Sequence, residues 1–371
     1  MFAVLVVAGV AAGAWLLGRV TYLSAQPPVR PSPDAHVSVI VPSRDEAETI
    51  PALLASLARL EVQPCEVLVV NDGSRDRTAD VAAACGARVI SVTEPPPGWL
   101  GKPWACQIGR TRATGTHLLF LDADTRLAAD ALGALLATHA EEGGLVSVQP
   151  YHETQRPYEN LSAYCNLVAM MGTGAFTPRA REPHGAFGPC LLTSASEYDA
   201  VGGHAAVRSE VAEDVHLARK YRRSGFPVSC FAGGDLVRFR MYPAGARQLV
   251  DGWSKNLAAG AVGADRLAVA LTVLWVSSHA AIAVRMPADL ASWTSGSAGF
   301  PFLSIIGWFV IAAQLRGMLR RVGSFAPLTA ILFPIPLAAF ITIFGRSLFW
   351  TFVRRRVVWR GRQIELRSSR P

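Results

Sequence analysis

The sequence lacks any C-x-x-C pair and any cluster of cysteine and histidine with the spacing of a zinc site, although it contains six cysteines. Most of these cysteines stand among apolar residues, as buried free thiols do, which favours a reducing cytoplasmic compartment. A nucleic-acid-binding motif is also lacking. The excess of 36 lysine and arginine residues over 28 acidic residues, a net charge of +8, therefore points to a membrane surface or to phosphate ligands.

Charge is almost absent from residues 2–23, where Arg19 is the only charged residue. The segment is long enough to span a bilayer, and no basic region precedes it as one would in a secretory signal peptide. We therefore predict an uncleaved N-terminal transmembrane anchor over residues 1–25, with the following domain in the cytoplasm. The proline-rich residues 26–35 are predicted to form a stiff linker.

Apolar character returns towards the C-terminus, and the mean hydropathy of +0.27 is high for a soluble protein. Residues 267–284 and 299–315 predict two spans, and the apolar run 325–353 is interrupted by prolines. A re-entrant or interfacial hairpin in this run is the hypothesis that keeps the basic end of the chain inside. We predict membrane segments over 263–353 and a basic cytoplasmic tail over 354–371, in a multi-pass protein of the cell (inner) membrane.

Residues 36–150 alternate short apolar runs with amphipathic runs that have the period of a helix. This alternation predicts βαβ units, hence an α/β fold with a mainly parallel sheet flanked by helices. In such sheets ligands bind beyond the carboxyl ends of the strands. Asp72 ends one strand-like run, and Asp122 and Asp124 follow another. We therefore expect acidic side chains from two strands at one edge of the sheet.

The stretch Asp122-Ala123-Asp124 has two interpretations. Aspartate is common in the turn that ends a strand, and the motif is then only a turn. Alternatively, two carboxylates one residue apart on a turn can both approach Mg²⁺ or Mn²⁺, which prefer hard oxygen ligands. Burying a carboxylate costs free energy unless it is paired, protonated or bound to a metal. The other motifs of the chain must therefore distinguish between the turn and the metal site.

The stretches VPSRDEAETI and VVNDGSRDRT also follow strand-like runs. In the first, Pro42 ends the strand, and Arg44 and Glu46 are expected at the start of a helix, a place that suits a phosphate or nucleotide. The acids there are alternatively ordinary helix-start residues. In the second, Asp72 stands in a predicted tight turn, where it either accepts from a nucleotide base or serves the turn alone.

Two acidic and two basic residues outside these stretches are further candidates. Glu213 and Asp214 precede an amphipathic segment, where acids also favour the helix dipole. Lys102, near a helix start, meets either phosphate or solvent. Arg240 lies in a basic loop, where a diphosphate and a lipid headgroup are the alternatives.

Taken in order, these motifs resemble the family 2 inverting glycosyltransferases of the GT-A fold, over residues 36–262. The VPSRDEA start, NDGSRDRT, the Asp-Ala-Asp, the Glu-Asp before a helix and GKPWACQIG all match. The resemblance implies a UDP-sugar donor and Mg²⁺ or Mn²⁺ as cofactor, and no nucleic acid as partner. It also favours the functional interpretation of each motif over the structural one.

The resemblance implies a role for each acidic residue. Asp72 binds the nucleotide base, and Asp122 and Asp124 contact the ribose and the metal. Asp214, next to Glu213, is the general base that deprotonates an acceptor hydroxyl. The other residues of the expected donor site are Pro42, Arg44, Glu46, Lys102 and Arg240.

The C-terminal half narrows the expected reaction. Processive synthases of this family carry Q-x-x-R-W, but here no arginine precedes Trp253, so transfer of a single sugar is favoured. The segment RMY…GWSKN and the tail V-x-W-R-G-R resemble carotenoid- and hopanoid-associated members, the diaponeurosporenoate type above all. This resemblance implies transfer of a hexose, glucose, to a lipid or isoprenoid acceptor such as a carotenoid or carotenoid acid. The alternatives are a glycolipid or polysaccharide synthase and a non-catalytic membrane scaffold that binds nucleotide-sugar.

Overall fold

The computed structural model describes residues 2–25, 34–179, 183–261, 264–354, 356–359 and 362–365. The predicted linker, apart from residues 34 and 35, and much of the predicted tail lie outside the described residues. The chain forms two compact units. An α/β unit comprises Thr21–Tyr151, Glu182–Met241 and Arg354–Pro371, and a helical unit comprises Met1–Val20, His152–Arg181 and Tyr242–Val353. The domain boundaries predicted from the sequence remain predictions.

The strands are numbered in chain order. They are β1 (Val37–Ser43), β2 (Glu66–Asp72), β3 (Arg88–Val92), β4 (His117–Leu121), β5 (Thr125–Leu127), β6 (Leu145–Gln149), β7 (Tyr151–His152), β8 (Cys190–Ser194), β9 (Val228–Ala232), β10 (Val237–Phe239), β11 (Arg356–Trp359) and β12 (Arg362–Glu365). Strands β1, β2, β3, β4 and β6 coincide with apolar runs of residues 36–150, whereas the short β5 and β7 were not predicted as separate strands.

The helices are numbered in the same way. They are α1 (Phe2–Leu16), α2 (Ile50–Leu57), α3 (Thr78–Ala84), α4 (Gly101–Arg112), α5 (Ala131–Glu142), α6 (Ala163–Thr173), α7 (Ala195–Ala200), α8 (Glu213–Arg223), α9 (Ala246–Ala261), α10 (Arg266–Thr294), α11 (Phe302–Val322), α12 (Pro327–Ile331) and α13 (Pro334–Leu348). Short 3₁₀ helices cover Pro157–Ser162 and Gly203–Val207, and a π-helix covers Phe349–Arg354.

The α/β unit is built on a seven-stranded sheet with the order β3-β2-β1-β4-β8-β6-β9. Strand β8 runs antiparallel to both its neighbours, and the other pairs are parallel. The mainly parallel sheet flanked by helices confirms the predicted fold class. The antiparallel β8, which the sequence did not reveal, brings Cys190 opposite Leu121 at the end of β4. The segment before β8 therefore reaches the edge at which the parallel strands end.

Helices cover both faces of this sheet because successive residues of its strands point to opposite sides. Val39 and Val41 of β1 pack in one cluster with residues of α2 and α5. Ile40, between them, packs in a second cluster with residues of α4 and α8. Strands buried on both faces are continuous apolar runs, which is why the sequence displayed them clearly.

The helical unit contains three helices that are long and apolar enough to cross a membrane, counted over the described residues: Arg266–Thr294, Phe302–Val322 and Pro334–Val353. The first contains the predicted span 267–284, and the second contains all of the predicted span 299–315 except residues 299–301. The third begins at Pro334, where proline is tolerated in a first helical turn. Helix α1 has 15 residues, about 22 Å at 1.5 Å per residue, which is less than a hydrocarbon core of about 30 Å. The predicted N-terminal anchor therefore remains a prediction.

Inside the helical unit, two pairs of polar side chains are hydrogen-bonded to each other. The Tyr164 hydroxyl and His279 Nδ1 are 2.7 Å apart, and both residues are buried. Trp253 Nε1 donates to Ser162 Oγ at 3.0 Å. Such pairs remove the cost of burying a polar group away from water.

Candidate active site

Two loops at the carboxyl ends of β1 and β2 are locked together by hydrogen bonds. The backbone N–H groups of Asp45, Glu46 and Ala47 donate to Ser74 Oγ, Thr78 Oγ1 and Asp76 Oδ2, and Arg75 N–H donates to Asp45 Oδ1. Helix α2 begins only at Ile50, so the predicted helix start at Arg44 is wrong. The loop persists because these side chains occupy the N–H groups that a helix start would leave open. These N–H groups thus already have hydrogen-bond acceptors within the protein.

The locked loops place Arg44 against Asp72. Arg44 Nη1 donates to the Asp72 carbonyl oxygen at 2.8 Å and lies 3.8 Å from its carboxylate. Both side chains are nearly buried, at 10% and 7% exposure. Arg44 Nε is buried and has no hydrogen-bond partner among the residues that the structure describes. The two paired side chains lie at the end of β2, where a nucleotide was expected.

The Asp122-Ala123-Asp124 stretch is both a turn and a concentration of charge. Thr125 N–H donates to the Asp122 carbonyl oxygen at 3.1 Å, which closes the turn, and Asp122 N–H donates to Pro189 O at 3.0 Å. Burial raises the pKa of Asp124 well above its usual range, and the charges of Asp122 and Glu46 raise it further. Asp122 and Glu46 therefore each lie close enough to Asp124 to repel its carboxylate.

These carboxylates fit a divalent cation in part. Among the described residues no group of three or more His, Cys, Asp or Glu side chains is arranged to hold a metal ion unaided. Mg²⁺, however, is usually bound through one or two carboxylates, with water and substrate phosphates completing its shell. Asp122 and Asp124 match that donor set, and a cation would relieve the repulsion that raises the pKa of Asp124. The site thus fits a metal that arrives together with a diphosphate.

Lys102, in the first turn of α4, connects two parts of the site. Its Nζ lies 2.8 Å from Asp122 Oδ1 and 3.1 Å from Glu213 Oε1. Burial would lower the pKa of Lys102, but the charges of Asp122 and Glu213 outweigh it and hold the pKa well above its usual value. The ammonium group is therefore charged, and it joins the end of β4 to the start of α8.

Asp214 is held by backbone groups at the start of α8. Its Oδ2 accepts from Gly188 N–H at 2.8 Å, and its Oδ1 accepts from Val215 N–H at 2.8 Å. Burial and the neighbouring charge of Glu213 raise the pKa of Asp214 to about 6, although Lys102 acts in the opposite direction. A carboxylate with a pKa in this range can exchange a proton near neutral pH.

Arg240 and Pro42 are two further predicted residues whose backbone positions the structure shows. Arg240 N–H donates to the Asp124 carbonyl oxygen at 3.2 Å, which fixes the Asp-Ala-Asp turn. Pro42 lies within β1 opposite Val70, so it is part of the sheet and presents no polar group. The structure thus brings together Lys102, Asp122, Asp124, Glu213 and Asp214, with Glu46 near Asp124 and Arg44 paired with Asp72. The individual roles of these residues remain predictions.

The contact of Gly188 with Asp214 is a feature of the site that the sequence did not predict. A Cβ atom at this position would lie 2.9 Å from Asp214 Oδ2 and 3.2 Å from Lys102 Nζ, so a larger residue would displace both side chains. In the sequence, Gly188 is one of two glycines in HGAFGPC, and either suits a close backbone approach or a loop. No local spacing links this glycine to Asp214, because the antiparallel β8 and α8 bring them together.

Comparison with known proteins agrees with these features. The family model described as glycosyl transferase family 2 matches residues 38–215. A 4,4'-diaponeurosporenoate glycosyltransferase of Staphylococcus aureus (strain MRSA252) is 36% identical over 336 residues, which cover 89% of this chain and 88% of the relative. Its counterpart in Staphylococcus haemolyticus (strain JCSC1435) is 33% identical over 342 residues, 89% of each chain.

Among solved structures, a mannosyltransferase from Pyrobaculum calidifontis, in complex with GDP-Man and Mn²⁺, is similar in fold. The TM-score is 0.57 at 19% identity, and the match covers 94% of this chain and 99% of the other. At this identity the likeness concerns the fold, and it supports the GT-A architecture seen in the sheet.

Proposed function

The chain belongs to glycosyl transferase family 2, and from this membership we propose that it transfers one hexose, glucose, from a UDP-sugar to a carotenoid acid. The relatives named above act on a diaponeurosporenoate, a carotenoid carboxylate, and they match most of this chain. The observation that carries the proposal is the convergence of Asp122, Asp124 and Asp214 around Lys102. A strand-end carboxylate pair and a buried carboxylate on α8 suit the two ends of a glycosyl transfer.

The donor is proposed to bind along the carboxyl ends of β1, β2 and β4. Asp72 would accept from the base, and Arg44, which is paired with Asp72, would lie beside the nucleotide. Asp122 and Asp124 would hold Mg²⁺ or Mn²⁺ on the diphosphate, and the metal would neutralise charge on the leaving group. Electrostatic groups that are already in place cost no reorganisation during the reaction.

The acceptor oxygen is proposed to attack the anomeric carbon directly. A bond forms between this oxygen and the anomeric carbon while the bond from that carbon to the diphosphate oxygen breaks, so the configuration inverts and UDP leaves. A carboxylate acceptor is already ionised at neutral pH and has no proton to lose. Asp214 would then position the acceptor, whereas a hydroxyl acceptor would need Asp214 as its general base.

The proposed location is the cell membrane, with several spans and the donor site in the cytoplasm. Three long apolar helices support this location, since a carotenoid-type acceptor dissolves in the bilayer. The basic residues Arg320 and Arg321 at the end of α11 favour a cytoplasmic end for that helix.

The test is UDP release by the detergent-solubilised protein, with Mn²⁺ or Mg²⁺, UDP-glucose and a carotenoid acid. We expect metal-dependent release, and a product that is heavier than the acceptor by one hexose. Asp124→Ala should lower the rate by about 10²–10³-fold, as loss of a preorganised electrostatic group does. Asp130→Ala, beyond β5, is the matched control and should retain the wild-type rate.

Each contrary outcome has a separate meaning. A product with many hexoses would indicate a polysaccharide synthase. Nucleotide binding without release from UDP-sugars or GDP-sugars would indicate a scaffold. Release from a GDP-sugar alone would replace the donor and leave the family assignment unchanged.

A further inference from the structure

Lys102 forms ion pairs with carboxylates that belong to different parts of the proposed site. Asp122, 2.8 Å from Nζ, is one of the two residues expected to hold the metal. Glu213, 3.1 Å from Nζ, adjoins Asp214 at the start of α8. One ammonium group therefore connects the metal side of the site with the acceptor side.

The ammonium group also stands where the charge of a metal would act. It occupies Oδ1 of Asp122, and its positive charge partly offsets the repulsion that Asp122 and Glu46 exert on Asp124. Two cations beside one carboxylate repel each other, with an energy that falls only as the inverse of their distance. A metal ion that approaches Asp122 without a nucleotide therefore meets an opposing charge.

We propose that Lys102 is an internal counter-cation, which the metal displaces from Asp122 only when a nucleoside diphosphate binds with it. This inference rests on the proposed function, because it takes a metal and a nucleotide as ligands. The diphosphate brings enough negative charge for both cations, so the ammonium group leaves Asp122 and keeps Glu213. Metal and nucleotide then bind cooperatively, and Lys102 is the positioning residue that couples them.

The burial of Glu213 explains why Lys102 would keep this ion pair when it leaves Asp122. Glu213 is buried, at 7% exposure, so it needs a cationic partner after Asp122 has been taken by the metal. Lys102 supplies that partner throughout. The start of α8, and with it Asp214, is thereby held in place in the empty and in the loaded site.

The test measures Mn²⁺ binding to the purified full-length protein, with and without UDP. The electron paramagnetic resonance signal of free Mn²⁺ is the readout. In Lys102→Met we expect Mn²⁺ without UDP to bind about tenfold more tightly than in the wild type, because a nearby positive charge is gone. We also expect UDP to tighten Mn²⁺ binding less in this variant. Lys220→Met, which removes a positive charge elsewhere in the α/β unit, is the matched control and should change neither quantity.

Two further variants keep the test decisive. In Glu213→Gln the ammonium group retains only Asp122, so Mn²⁺ without UDP should bind no more tightly than in the wild type. The double variant Lys102→Met/Glu213→Gln removes both charges of one buried pair, and it serves if the single lysine variant does not fold. This double variant should bind Mn²⁺ without UDP more tightly than the wild type does.

The results that would overturn the inference differ from those that would overturn the function. An unchanged Mn²⁺ affinity in Lys102→Met, with weaker UDP binding, would make Lys102 a phosphate ligand only and leave the proposed function intact. Equal tightening in Lys220→Met would attribute the effect to net charge. Wild-type protein that binds no Mn²⁺ even with UDP would remove both the inference and the proposed metal dependence.

Discussion

In the α/β unit, the buried carboxylates of Asp72 and Glu213 have the basic partners Arg44 and Lys102. In the helical unit, the buried Tyr164 and the other polar groups described above bond to neutral neighbours. Burying an ion pair is costly and pays off only with good geometry, whereas a neutral pair is cheaper to bury. The two ion pairs thus lie where a charged ligand is expected. In the helical unit, the buried carboxylate of Glu159 instead accepts from the backbone N–H groups of Gln155 and Arg156.

The largest expected effect concerns acid stability, where the two units should behave alike. Burial lowers the pKa of His204, in the α/β unit, and of His152, in the helical unit, to about 4 from an ordinary 6.5. Below pH 6.5 the unfolded chain therefore binds protons that the folded protein does not. The free energy of unfolding should fall between pH 6.5 and pH 4, by about 3 kcal/mol for each histidine.

Denaturant unfolding at several pH values would measure this loss. His204→Asn keeps an acceptor for the Tyr198 hydroxyl, which lies 2.7 Å from His204 Nδ1, but it does not titrate. Its stability should depend less on pH than that of the wild type. An identical pH dependence would show that His204 is not buried as a neutral ring.

Gly188→Ala should separate catalysis from stability in the α/β unit. The new Cβ would lie 2.9 Å from Asp214 Oδ2 and would displace both Asp214 and Lys102. We expect kcat to fall by about 10²-fold, the effect of a small misplacement of reacting groups. Steady-state kinetics would measure it, beside Gly185→Ala, where the added Cβ would meet only the side chain of Val215. Wild-type kcat in Gly188→Ala would mean that the loop moves away without consequence.

Tyr164→Phe, in the helical unit, should lower stability and leave catalysis unchanged. It removes the hydroxyl group that pairs with His279 Nδ1, in a histidine whose Nε2 already lacks a hydrogen-bond partner within the described chain. The expected loss is about 1–3 kcal/mol of the free energy of unfolding, with UDP release unchanged. Thermal unfolding and the release assay, run on the same preparation, would check both. A large loss of kcat at wild-type stability would contradict the division between the units.

The smallest expected effect is that of Asp214→Asn. With a carboxylate acceptor, no proton has to be removed, so kcat should fall by less than tenfold, against about 10²–10⁴-fold for the loss of a needed general base. Single-turnover kinetics with a carotenoid acid would measure the change. A loss in the larger range would restore Asp214 as a general base and would argue for a hydroxyl acceptor.

Much of the α/β unit was predictable because its information is local. β1, β2 and β4 are continuous apolar runs, and β1 to β4 alternate with the helices α2, α3 and α4, as the pattern of residues 36–150 predicts. The acidic strand ends, Asp72 and Asp122, follow directly from the ends of these runs. The metal and nucleotide hypotheses needed the motifs in combination, since each motif alone also suits a simple turn.

The features that were missed depend on contacts between distant parts of the chain. β8 is a short apolar run without a distinctive period, so neither its direction nor its place between β4 and β6 was readable. The pairing of Lys102 with Glu213 follows from that sheet order and from the position of α8. The predicted helix at Arg44 failed because side chains from the next loop bind its backbone N–H groups. Likewise, α1 does not continue through the apolar residues that follow Leu16, since Arg19 N–H donates to the distant Phe176 O instead of to the preceding turn.

The α/β unit is interrupted in the chain, which leaves it after Tyr151 and re-enters it at Glu182. The interrupting segment carries α6, whose Tyr164 packs against Trp275 of α10. On the ribosome, α6 therefore emerges before the strands that complete the sheet, and its own partner helix emerges after them. Throughout that interval α6 lacks its partner α10. The same holds for any truncated fragment that ends before α10. Deleting the C-terminal helices alone would therefore leave α6 in the chain without Trp275, the residue against which Tyr164 packs.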